Sequence, residues 1–120
     1  MPPGPRFEKL VNDAKTRVGE ISAQLAAERQ SQGAVLIDVR EADEFAKGHA
    51  PGALGLSKGV VELKIEQHVP DPSTPLICYC GGGSRSALAA DNLKRMGYQN
   101  VLSLAGGFKG WKDAGLPTEG

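Results

Sequence analysis

Cys80 stands at the end of an apolar run and in front of three consecutive glycines, in the stretch Leu-Ile-Cys-Tyr-Cys-Gly-Gly-Gly-Ser-Arg-Ser-Ala at residues 76–87. The first part is β-inclined and the alanines that follow are helical, so the order is strand, glycine loop, helix. A helix start leaves N–H groups without intrahelical partners and adds about half a positive charge. An anion is favoured there. One such anion is the Cys80 thiolate, since neighbouring N–H groups and a cation lower a thiol pKa from about 8.5 into the range of about 3.5–7.5. The other is an anionic substrate. Gly81, Gly82 and Gly83 have the freedom to take positive φ and turn successive N–H groups inward as a nest. Ser84 and Ser86 extend this row of donors, and Arg85 supplies a permanent charge and a rigid fork of N–H groups. The chemistry expected is nucleophilic catalysis at sulfur.

The spacing Cys80, four residues, Arg85, Ser86 resembles the active-site loop of the rhodanese family, sulfurtransferases that carry a persulfide on cysteine. Asp38-Val39-Arg40, Gly48-His49-Ala50-Pro51-Gly52-Ala53, Gly106-Gly107-Phe108 with Trp111, and Ala114-Gly115-Leu116-Pro117 are similar to that family's other signatures, in its order. The resemblance covers about residues 21–118. It implies a rhodanese-like three-layer α/β fold, with a mostly parallel central sheet and helices on both faces. It also implies that Cys80 takes a sulfane sulfur from thiosulfate or a similar donor, releases sulfite, and passes the sulfur to cyanide or a thiol, with no cofactor. A protein thiol could serve as acceptor. Two rival readings accompany this one. Cysteine-loop phosphatases of the cell-cycle dual-specificity type share the fold but resemble C-x-x-x-x-x-R, and here the arginine comes one residue earlier. Noncatalytic binding or regulatory modules of the family usually lack the cysteine, which this chain keeps.

The elements that must position the loop are legible around it. Residues 1–6 read as a mobile tail, and Phe7, Leu10, Val11, Ala14 and Val18 follow helical spacing, predicting an accessory helix that ends near Gly19. Residues 1–20 are thus set apart from a domain at 21–118. Glu20–Ser22 reads as an edge strand whose Ser22 caps a helix reaching about Gln30. Val35–Val39 is a buried parallel strand closed by Asp38 and Arg40, read as a structural ion pair. Glu41–Ala46 is a short helix. His49, with no visible carboxylate to orient it, reads as a hydrogen-bonded loop anchor in support of the site. Leu54–Leu56, Leu76–Tyr79 and Val101–Leu104 are further strands; Val60–Gln67, Ala87–Met96 and Phe108–Ala114 are helices. Ala89, Leu93 and Met96 are expected on one face of their helix, with Gly97 as its left-handed terminator, and Trp111 at a core edge. Alternating strands and helices predict a parallel sheet covered on both sides.

Cys78 and Cys80 lie about 6.6 Å apart along a strand, with little freedom to form a disulfide, so Cys78 reads as a buried filler. Two cysteines in 120 residues form no disulfide framework and point to a reducing compartment. Fourteen basic residues balance fourteen acidic ones without a basic block, which argues against nucleic acid or an acidic membrane as partner. There is no metal-ligand spacing, no apolar run long enough for a bilayer and no signal-peptide core in Met-Pro-Pro-Gly-Pro-Arg. The expectation is a cytoplasmic enzyme acting on small sulfur compounds.

Overall fold

The computed structural model describes residues 3–120. Its elements run α1 (Pro5–Lys15), β1 (Gly19–Ile21), α2 (Ala23–Ser31), β2 (Val35–Asp38), α3 (Ala42–Lys47), β3 (Leu54–Gly55), α4 (Val61–His68), β4 (Leu76–Tyr79), α5 (Ser84–Arg95), β5 (Val101–Leu104) and α6 (Gly107–Asp113). The five strands form one sheet in the order β1-β5-β4-β2-β3, and every pairing is parallel. The sheet is therefore wholly parallel, where the sequence predicts it mostly so.

Alternation along β4 sorts the core into two layers. Cys78 and Cys80 face Val61, Ile65, Ala89, Ala90 and Leu93 of α4 and α5. Ile77 and Tyr79 face the other way, with Ala23 and Ala26 of α2 and Phe108 and Trp111 of α6. Successive strand residues point to opposite faces, so a strand covered on both sides must be apolar throughout. All four β4 residues are buried. Trp111 is fully buried, not at an edge, and its indole N–H donates to Pro117 O at 2.7 Å. Met96 is 40% exposed, because α5 ends one residue before it and Gly97 turns the chain away at φ 105°.

The N-terminal segment departs from expectation at both ends. Met1 and Pro2 of the expected tail lie outside the described residues, but Pro5 and Arg6 are helical, Pro5 at a first-turn position where its missing N–H costs nothing. The helix stops at Lys15 instead of near Gly19, since Gly19 opens β1. Val11 and Ala14 of α1 pack on Ala87 and Leu88 of α5. The Arg17 guanidinium adds two hydrogen bonds to Asp91, at 2.9 and 2.8 Å.

The strand order places the site. The chain leaves β2 toward the β3 edge and leaves β4 toward β5, so the connections after these two adjacent strands diverge. Their C-terminal ends are thus a topological switch point, the place where open α/β sheets take ligands. The loop after β4 begins with Cys80, and the segment after β2 leads into α3. Among the described residues no helix is long and apolar enough to cross a membrane.

Candidate active site

Cys80 follows directly on β4 and is 1% exposed. Its Sγ accepts hydrogen bonds from Gly83 N at 3.1 Å and Ser86 N at 3.4 Å, and Ser86 Oγ lies 3.5 Å away. Gly83 is the N-cap of α5, and no side chain caps that helix. The sulfur takes the role a capping oxygen would have, and α5 begins at Ser84, with Ala87 inside it as expected. Of the loop glycines only Gly83 has positive φ, at 108°. The expected freedom of Gly81 and Gly82 is not used. One left-handed residue suffices to turn the chain from strand into helix with its N–H aimed at the sulfur.

Burial by itself raises the Cys80 pKa, but hydrogen bonds from Ser86 Oγ and from Ser86, Gly83 and Gly82 N–H outweigh it, and the thiol is held below its ordinary value. Ser86 and Ser103 are both fully buried, with their hydroxyls 2.8 Å apart. If Ser103 donates to Ser86, the Ser86 proton is free for the thiolate. Cys78, one layer below, has its pKa pushed up to about 12 by burial and by the charge of Cys80, so it stays neutral. Both cysteines are free.

We expect Cys80 to alkylate as a thiolate. The rate of iodoacetamide labelling, followed by peptide mass, should rise with pH through a midpoint below the value of about 8.5 for an unfolded cysteine. Because the folded pKa is the lower one, the matching stabilisation is fully present above about 8.5 and disappears as pH falls through the folded value. A labelling midpoint at or above 8.5 would refute the assignment of these hydrogen bonds.

Arg85 is turned toward a partner that local sequence does not indicate. Its Nη1 and Nη2 donate to Glu44 Oε1 and Oε2 at 3.1 and 3.5 Å. The pair is about one third exposed. Glu44 also accepts from Glu41 N at 3.1 Å, closing a reciprocal capping box at the start of α3. The ion pair holds the Glu44 carboxyl below and the Arg85 guanidinium above their ordinary values.

The loop is backed by the turn before α6. Phe108 N donates to Cys80 O at 2.7 Å and Lys109 N to Gly81 O at 3.3 Å. Gly107, immediately before Phe108, has φ 57°, and a Cβ there would come within 2.5 Å of Cys80 O. Asp38 and Arg40 are buried and form a bidentate pair at 2.7–3.2 Å, with Arg40 Nη2 also donating to Gly48 O. The Arg40 guanidinium lies over the Phe108 ring at 4.3 Å. Imidazole Nδ1 of His49 bonds Phe45 O at 2.9 Å, and its ring stacks on Phe45. Contrary to the sequence reading, a carboxylate does face this histidine. Glu119 Oε1 lies 3.4 Å from Nε2, and the two residues exchange backbone hydrogen bonds of 2.8 and 2.9 Å. Glu44, Ser103 and Glu119 thus contact the loop or its supporting residues without belonging to any motif read in the sequence, whereas Gly107 falls within the Gly106-Gly107-Phe108 signature. Among the described residues no cluster of three or more His, Cys, Asp or Glu could hold a metal.

An open parallel sheet with a cysteine loop at the switch point defines a class of protein, and comparison with known proteins gives the family. The rhodanese-like domain family model matches residues 22–114. The chain is 40% identical over 100 residues to the thiosulfate sulfurtransferase GlpE of Haemophilus influenzae, covering 83% of this chain and 93% of that protein. Among solved structures, the polysulfide-sulfur transferase homodimer of Wolinella succinogenes superposes with a TM-score of 0.81 at 28% identity, over 95% of this chain and 87% of its own. A Rhodopseudomonas palustris protein described as a possible tyrosine phosphatase superposes with a TM-score of 0.80 at 28% identity, over 99% of both chains. The chain belongs to the rhodanese-like family.

Proposed function

We propose that this protein is a thiosulfate sulfurtransferase that carries sulfane sulfur on Cys80. The observation that carries this reading is the sulfur held by Gly83 and Ser86 N–H at 3.1 and 3.4 Å, an arrangement suited to a resting thiolate. In the first half-reaction the Cys80 thiolate attacks the outer sulfur of thiosulfate. A new S–S bond forms, the bond between the two thiosulfate sulfurs breaks, and sulfite leaves with its electron pair. In the second, cyanide or a thiolate attacks the outer sulfur of the persulfide and Cys80 returns as thiolate. Neither half needs an outside oxidant or reductant. Splitting the transfer in two is covalent catalysis, and the N–H groups of Gly81 to Ser86 stabilise the charge on the persulfide and on the leaving anion. Arg85 draws the anionic donor. Asp38, Arg40 and His49 hold the neighbouring segments in place.

The names of the sulfurtransferase relatives support this reading over the binding-module one, as does retention of Cys80. The short interval from Cys80 to Arg85 supports sulfur over phosphate, because each added residue would widen the nest by up to about 3.5 Å of chain. We assign catalysis to residues 21–118, an accessory role to residues 1–20, and the reducing cytoplasm as the site of action. Incubation with thiosulfate is expected to add the mass of one sulfur atom to the Cys80 peptide, and cyanide to remove it as thiocyanate. Aryl phosphates should not be hydrolysed. Failure of Cys80 to take up sulfur, or appreciable phosphatase turnover, would overturn the proposal.

A further inference from the structure

Arg85 is the cation of the active-site loop, yet at rest its charge is answered by Glu44. The carboxylate lies on α3, in the segment that follows β2, and accepts from both terminal guanidinium nitrogens, Nη1 and Nη2, of a residue in the segment that follows β4. The guanidinium stays beside the loop, with Nη2 3.5 Å from the position a Cβ on Gly81 would occupy. Cys80 is buried, whereas Gly82 is exposed and Gly81, Ser84 and Arg85 are half-buried. A reagent bound for the sulfur must pass these residues, and so passes the ion pair.

Glu44 is held there for a reason other than Arg85. Its carboxylate also completes the capping box of a helix of only six residues, so it stays near the loop mouth even when Arg85 turns away. A negative charge fixed at the approach to the sulfur opposes an incoming dianion and competes with it for Arg85. A neutral reagent meets no such opposition.

We propose that Glu44 is a specificity-determining residue that tunes which charge of sulfur donor or acceptor reaches Cys80, by neutralising Arg85 and setting a carboxylate at the mouth of the loop. The consequence for a donor such as thiosulfate rests on the sulfurtransferase reading above; the consequence for charge selection at Cys80 does not. Glu44→Gln isolates the effect, since an amide oxygen can still accept from Glu41 N and keep the capping box.

The test compares Cys80 labelling by iodoacetate, an anion, with labelling by iodoacetamide, its neutral counterpart, in native protein and Glu44→Gln. Taking the ratio of the two rates cancels any change in thiolate fraction. Removing one partly exposed charge should raise the iodoacetate to iodoacetamide ratio on the order of fivefold, and added salt should shrink the difference. The KM for thiosulfate should fall by a similar factor. An unchanged or lowered labelling ratio, in a variant whose melting matches native protein, overturns the inference whether or not the protein transfers sulfur. If Glu44→Gln unfolds, the native protein carries the test: added salt screens the carboxylate, so the native iodoacetate to iodoacetamide ratio must rise with ionic strength, and a ratio that falls or stays level overturns the inference. A raised ratio in a protein that never loads sulfur from thiosulfate would refute the sulfurtransferase reading and uphold the role of Glu44.

Discussion

Cys80→Ser is expected to abolish thiosulfate-dependent thiocyanate formation, a loss of at least about a thousandfold, while leaving the fold intact. The two cysteines lie two positions apart on the same face of the sheet, but only one has donors around its sulfur. Serine fits the Cys80 position and would accept the same N–H groups, yet its hydroxyl is far too weak an acid to attack as an anion. Cys78 is fully buried among apolar side chains and its pKa is raised to about 12, so it offers no thiolate near neutrality. Cys78→Ala should therefore keep near-native turnover and cost roughly 1–2 kcal/mol of stability through the void it leaves. Turnover and denaturant unfolding of both variants check this. Activity that survives in Cys80→Ser and vanishes in Cys78→Ala would reverse the assignment.

The second large effect is expected at a residue that touches no substrate. Gly107 combines positive φ with a position where a Cβ would strike Cys80 O and the Gly81 carbonyl at 2.5–2.7 Å, all of it backbone that cannot swing aside. Gly107→Ala must either push the cysteine loop outward or break the hydrogen bonds from Phe108 and Lys109 N–H that seat it. The strain costs about 3 kcal/mol, which for a chain of this size lowers the melting temperature by roughly 10–15 °C. A displacement of the loop by about 1 Å also misaligns its N–H donors, and turnover should fall by on the order of a hundredfold at temperatures where the variant is folded. Gly82→Ala is the stability control. Its Cβ would meet nothing within 4 Å, so its melting should stay close to native. Near-native turnover in folded Gly107→Ala would show that the start of α6 does not set the shape of the loop.

Much of the architecture was determined by local sequence. Hydrophobic runs of four residues separated by helical periods specify buried parallel strands and covering helices, because burial on both faces leaves no other pattern for the strands. The position of the candidate cysteine was legible for a similar reason: Cys80 sits where a strand meets three glycines and a helix, and the electrostatics of a helix start depend on the few residues around it. Ser22 as a cap and Gly97 as a terminator are likewise local events, and they stand where the pattern puts them.

Tertiary structure alone decided where the charges and buried hydroxyls of the site find their partners. Arg85 and Glu44 are 41 residues apart, and they meet because β2 and β4 are neighbours whose connections diverge at one end of the sheet. Ser103 reaches Ser86 only because β5 lies beside β4, and nothing in Val101–Leu104 marks that serine from an ordinary strand residue. Glu119 pairs with His49 across 70 residues of chain through an isolated bridge. Hydrophobic periodicity records which face of an element is buried but not which element it is buried against. An ion pair or a hydroxyl relay depends on that second choice, and it is made when the sheet assembles.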